Sequence, residues 1–75
     1  MIDLGARLKL LRKEKDVMQK EIAQLLDVSI RSYQYYESNK LEPNLVNLVK
    51  LADYFGVSLD YLVGRSDDPT VHKNK

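Results

Sequence analysis

QKEIAQLLDVSIRSYQYYES, residues 19–38, decides the fold. Ile22, Ala23 and Leu26 stand at the i, i+1, i+4 spacing of one helix face, so Gln19 to Leu26 reads as a short amphipathic helix. Asp27-Val28-Ser29 breaks it, and Ser29 is a good N-cap for a second helix running from Ile30 to about Ser38. Tyr33 and Tyr36, spaced i, i+3, form that helix's inward side. Ala23 is small where the second helix approaches, and Val28 plugs the turn. A pair of helices joined this tightly leaves the second free to enter a DNA major groove.

Working outward, Leu4, Leu8 and Leu11 follow the i, i+4, i+7 stripe of a preceding helix, which Asp3 can cap and which ends near Lys15. Past the pair, Asn39 suits a left-handed position and Lys40 to Pro43 form a loop. Asn44 caps a helix from Leu45 to Phe55, with Leu48, Leu51, Ala52 and Phe55 as its stripe and Gly56 as its stop. Ser58 caps a last helix, Leu59 to Val63, ended by Gly64. Residues 65–75 hold one aliphatic side chain, Val71, and read as a flexible tail. Helices this short cannot bury a face alone, so the five of them must share one core in an all-α domain.

Composition narrows the chemistry. The chain has 75 residues and no cysteine, so neither a disulfide nor a thiolate metal site staples it. Its net charge is only +1, with eight basic and six acidic side chains up to Lys40 and four and five after it. Any affinity for nucleic acid must therefore rest on where the charges sit. Charges at Arg7, Lys9, Arg12 and Lys13 interrupt the first apolar stretch, and no apolar run approaches a membrane span. The expected location is cytoplasmic. The single histidine, His72, lies in the tail, and neither a glycine-rich phosphate loop nor sensible metal-ligand spacing is present. The expectation is no enzyme, no metal and no cofactor.

Three stretches carry a resemblance: LKLLRKEKDVMQKEIAQLLDVS (8–29), YYESNKLEPNL (35–45) and LVKLADYFGVSLDYLVG (48–64). Together they resemble the Cro/C1-type (XRE family) helix-turn-helix domain of phage repressors and bacterial regulators over residues 8–62. The resemblance implies a five-helix lambda repressor-like DNA-binding fold with its helix-turn-helix motif at 19–38. It implies a sequence-specific transcriptional regulator, a repressor binding a palindromic operator on double-stranded DNA as a homodimer. The alternative is a protein-interaction module of the same fold, such as an antitoxin or an antirepressor partner.

Turning Tyr33 and Tyr36 inward leaves Ile30, Arg31, Gln34, Tyr35 and Ser38 outward, with Ser29 at the tip of the helix. Arg31 can pair with guanine O6 and N7, Ile30 can press a thymine methyl, and Tyr35 can meet a base or a phosphate. Phosphate contacts are expected from Gln19, which matches a clamp of the family, and from Ser38, Asn39 and Lys40. The resemblance also implies dimerisation through Tyr54, Leu59, Tyr61 and Val63, while Leu62 completes the core. It pairs Arg12 with Glu37, neutralising the one carboxylate of the recognition helix. Three positions depart from the family: Met18 stands at the cap of the motif's first helix, Asp27 in the turn, and Tyr33 where a β-branched aliphatic residue is usual.

Overall fold

Four helix starts are fixed by the same local bond, a side-chain oxygen that accepts the backbone N–H three residues on. Asp3 caps α1 (Leu4–Lys15) through Ala6, and Ser29 caps α3 (Ile30–Glu37) through Ser32. Asn44 caps α4 (Leu45–Phe55) through Asn47, and Ser58 caps α5 (Leu59–Leu62) through Tyr61. Each such cap stabilises its helix by about 1 kcal/mol. The exception is α2 (Gln19–Leu26), whose N-cap is Met18; there the Glu21 carboxylate accepts the Met18 N–H instead, at 3.4 Å. The computed structural model describes residues 3–71, and no strand occurs among them.

The helix ends are set by left-handed residues. Asp16 and Asp27 both take φ 57°, Asn39 takes 63° and Gly56 takes 68°. Asp and Asn tolerate this region through their short polar side chains, and Gly does so freely. The left-handed Asn39 follows the sequence reading. The third and fifth helices each end one residue earlier than expected, at Glu37 and Leu62.

All five helices contribute to one core. Leu8 and Leu11 come from α1, Ile22, Ala23 and Leu26 from α2, Tyr33 and Tyr36 from α3, Leu51 and Ala52 from α4, and Leu62 from α5. Val57 fills the turn between α4 and α5. Leu4, Val28, Leu48 and Phe55 pack against this cluster while half-buried. The two tyrosines meet edge to face, with ring centroids 6.2 Å apart. Such a pair adds about 1 kcal/mol to the burial itself.

One contact was invisible in the sequence. Gly5, in the first turn of α1, lies against the backbone carbonyl of Glu37 at the end of α3, and a Cβ there would come within 2.7 Å of the carbonyl carbon. Only glycine lets the two helix ends approach this closely. The Asn39 side chain closes the junction, its Oδ1 accepting the Gly5 N–H at 2.9 Å and its Nδ2 donating to Asp3 Oδ1 at 2.6 Å. These bonds hold the Asp3 carboxyl below the usual carboxylate range, through Asn39 first and the Ala6 amide second.

Beyond α5 the chain turns back. The Ser58 N–H donates to the Pro69 carbonyl at 2.9 Å, and Val71 reaches a shallow groove lined by Val49, Val57 and Leu59. Residues 65–71 belong to the stretch expected to be a flexible tail; the rest of that stretch, with His72, lies outside the described residues.

Candidate nucleic-acid interface

The outer face of α3 is built by what its inner face buries. With Tyr33 fully buried and Tyr36 at 5% exposure, the helix turns Ile30, Arg31, Gln34 and Tyr35 outward. Ile30 is 46% exposed and Tyr35 is 38% exposed, both large apolar surfaces in solvent. Ser29 is exposed at the tip and holds the first turn through Ser32.

Glu37 is the only carboxylate of α3, and it is buried. Its Oε2 accepts the Arg12 Nε–H at 2.7 Å, and its Oε1 accepts from Arg12 Nη2 at 3.3 Å and from Gln19 Nε2 at 3.0 Å. Burial opposes the negative charge, but the hydrogen bonds from Arg12 and Gln19 outweigh it and hold the carboxyl below its ordinary range. The same contact pushes the Arg12 guanidinium up. Glu37 is buried while Arg12 is half-buried, so losing Arg12 would strand the Glu37 charge. The exposed face of α3 is left with one cation, Arg31, and no acid.

The buried pair is wired to that face. Gln34 Nε2 donates to Gln19 Oε1 at 3.2 Å, and Gln19 donates in turn to Glu37. Gln19 thus has one amide hydrogen left for an anion. Tyr33 lies beside the same cluster, and its hydroxyl is buried without a hydrogen-bond partner. Burial, with the neighbouring Glu37 charge, pushes that phenol well above its usual range.

The loop after α3 divides by role. Lys40 is exposed with its ammonium 5.7 Å from the Tyr35 ring, so the two form one cationic and aromatic corner. Ser38 donates its hydroxyl to the Tyr35 carbonyl at 3.3 Å. The Asn39 amide bonds to α1, as described above, which fixes the loop and leaves Asn39, like Gln19, one amide hydrogen. These distant partners of Asn39, which is expected among the anion contacts, were not legible in the sequence.

Of the residues expected at a dimer interface, none is fully exposed. Tyr54 stacks edge to face on Phe55 and under the Lys15 ammonium, and Tyr61 carries the Arg7 guanidinium 3.8 Å above its ring. Leu59 packs on the core and Val63 is half-buried. Among the described residues no group of acids, histidines or cysteines is placed to hold a metal, and no helix is long and apolar enough to cross a membrane.

Two helices set at a fixed angle by a tight turn, the second presenting an acid-free outer face, define a helix-turn-helix domain. The helix-turn-helix family profile matches residues 8–62, and the chain belongs to this family, in its XRE-type branch. It is 38% identical over 63 residues to the HTH-type transcriptional regulator YobD of Bacillus subtilis, covering 84% of this chain and 56% of that protein. The chain spans about half the length of the curated relatives it matches. The crystal structure of a transcriptional regulator from Listeria innocua superposes with a TM-score of 0.79 at 35% identity, covering 96% of this chain and 63% of that one. The P22 c2 repressor, solved in complex with a synthetic operator, superposes with a TM-score of 0.76 at 28% identity, over 84% of this chain and 96% of that one. The fold is the five-helix lambda repressor-like one.

Proposed function

We propose that this chain binds DNA in a sequence-specific manner and represses transcription as a homodimer on an inverted-repeat operator, in the cytoplasm. The observation that carries the reading is the outer face of α3, whose one carboxylate is withdrawn into a buried pair while Ile30, Arg31, Gln34 and Tyr35 stay in solvent. The operator complex of the similar P22 c2 repressor supports it.

In this reading α3 enters the major groove by its N-terminal end. Arg31 bonds guanine O6 and N7, a contact worth about 1–3 kcal/mol against the wrong base. Ile30 meets a thymine methyl, and Tyr35 and Gln34 lie over the next bases or their sugars. Gln19 offers its remaining amide hydrogen to a phosphate at the start of α2, with Ser29 and Lys40 on the flanking backbone. Ser38 and Asn39 hold the loop that presents Lys40. With so few cations per copy, one copy binds weakly and two half-sites are needed.

The test is a gel-shift series with the preferred duplex. Arg31→Ala should weaken specific binding about tenfold or more while leaving binding to unrelated DNA nearly unchanged. Lys40→Ala should weaken both alike and flatten the salt dependence. An Arg31→Ala protein that keeps full discrimination would refute the assignment.

A further inference from the structure

Between the end of α3 and the buried Pro43 the chain leaves the core. Residues 38–42 are all exposed, and Lys40 stands in the middle of them. The backbone N–H groups of this loop bond α3 alone: Ser38 to the Gln34 carbonyl, Asn39 to that of Tyr36, and Lys40 and Leu41 to that of Tyr35. Among the described residues, the hydrogen bonds that tie the loop to another helix come from one side chain, Asn39. Its Oδ1 accepts the Gly5 N–H, and its Nδ2 donates to Asp3 Oδ1.

Asp3 is thus an exposed carboxylate beside the loop that carries Lys40. By charge alone an acid beside a phosphate contact weakens binding. Its geometry gives it the opposite effect.

We propose that Asp3 is a positioning residue for the DNA backbone contact: through Asn39, its carboxylate fixes the loop that aims Lys40 at a phosphate. The inference rests on the DNA-binding reading above and adds to it a residue on a different helix from the contact it serves. The Asp3–Asn39 bond is short, 2.6 Å, and charge-assisted, which makes it one of the stronger kind. The same carboxylate oxygen accepts the Ala6 N–H at 2.9 Å, so a single atom caps α1 and holds the loop. Gly5 admits the approach, because the Glu37 carbonyl from which the loop departs lies where a Cβ would be. A loop already held in place loses less freedom when Lys40 meets DNA, and that saving appears as affinity.

Cap and bridge can be separated. Serine caps a helix as well as aspartate, but its hydroxyl lies one bond nearer the backbone and carries no charge, so Asp3→Ser keeps the Ala6 bond and loses Asn39. Asn39→Gly keeps the left-handed turn and removes the bridge from the other side. Without DNA, both variants should exchange the Lys40 and Leu41 amide hydrogens about threefold or more faster than wild type, with a smaller change at Leu26 and Leu51 of the core. In gel shifts Asp3→Ser should weaken binding about threefold, the scale of one hydrogen bond, whereas an acid acting by charge alone would give tighter binding when removed. Asp3→Asn keeps the accepting oxygen and should bind at least as well as wild type. In a Lys40→Ala background Asp3→Ser should no longer weaken binding.

Equal or tighter binding by Asp3→Ser, the same loss with and without Lys40, or unchanged exchange at Lys40 and Leu41 would overturn the proposal. The exchange measurement needs no DNA, so its failure is distinct from failure of the DNA reading. A wild-type protein with no preferred duplex would defeat that reading, and the role of Asp3 with it.

Discussion

Glu37 ties the stability of the domain to the proposed DNA face. Removing its partner by Arg12→Met leaves a buried carboxylate held by Gln19 alone, which should cost about 3 kcal/mol in urea unfolding. For a domain of this size that is a large share of the total stability. The depressed carboxyl also sets a pH dependence. Glu37 titrates lower when folded than when unfolded, so its contribution is complete above the unfolded value of about 4.3 and fades as pH falls through the lower folded value. Unfolding free energy measured from pH 6 down to 3 should therefore fall, and less so in Glu37→Gln. Tyr33 works in the opposite direction. Its hydroxyl is buried with no partner, so Tyr33→Phe should raise stability by about 1 kcal/mol. A loss in that variant would reveal a bond to the Glu37 cluster.

At the level of elements, the sequence disclosed the helices because their signals are local. Asp3, Ser29, Asn44 and Ser58 each cap within three residues, and Gly56 stops α4 beside its own last turn. The Tyr33 and Tyr36 spacing was enough to say which side of α3 faces inward. The junction of α1 with α3 was not legible, since it joins Gly5 to Glu37 and Asn39 across more than thirty residues of chain. A glycine inside a helix reads only as a weak helix former; its purpose appears once the second backbone is in place. Gly5→Ala should therefore destabilise, by about 1–3 kcal/mol from overpacking, despite alanine's better helix propensity. Thermal melting decides it, and a gain would mean that the two helix ends can separate at little cost. The partners of Asn39 were hidden for the same reason, since its amide bonds to Gly5 and Asp3 of α1 and its cap.

For the whole molecule, the near-neutral charge matters most. A net +1 gives little general attraction to DNA, so binding has to come from the placement of a few groups and, in the proposed reading, from two copies acting together. The outer face of α3, with Arg31 and no acid, offers that placement. The most direct measurement is selection of bound duplexes from a random pool by the wild-type protein and by Arg31→Ala. Wild type should enrich an inverted repeat with half-site centres about 10–10.5 base pairs apart, and Arg31→Ala should lose the preference at a guanine in each half-site. Enrichment of no sequence by the wild type, or an unchanged motif in the variant, would contradict the account.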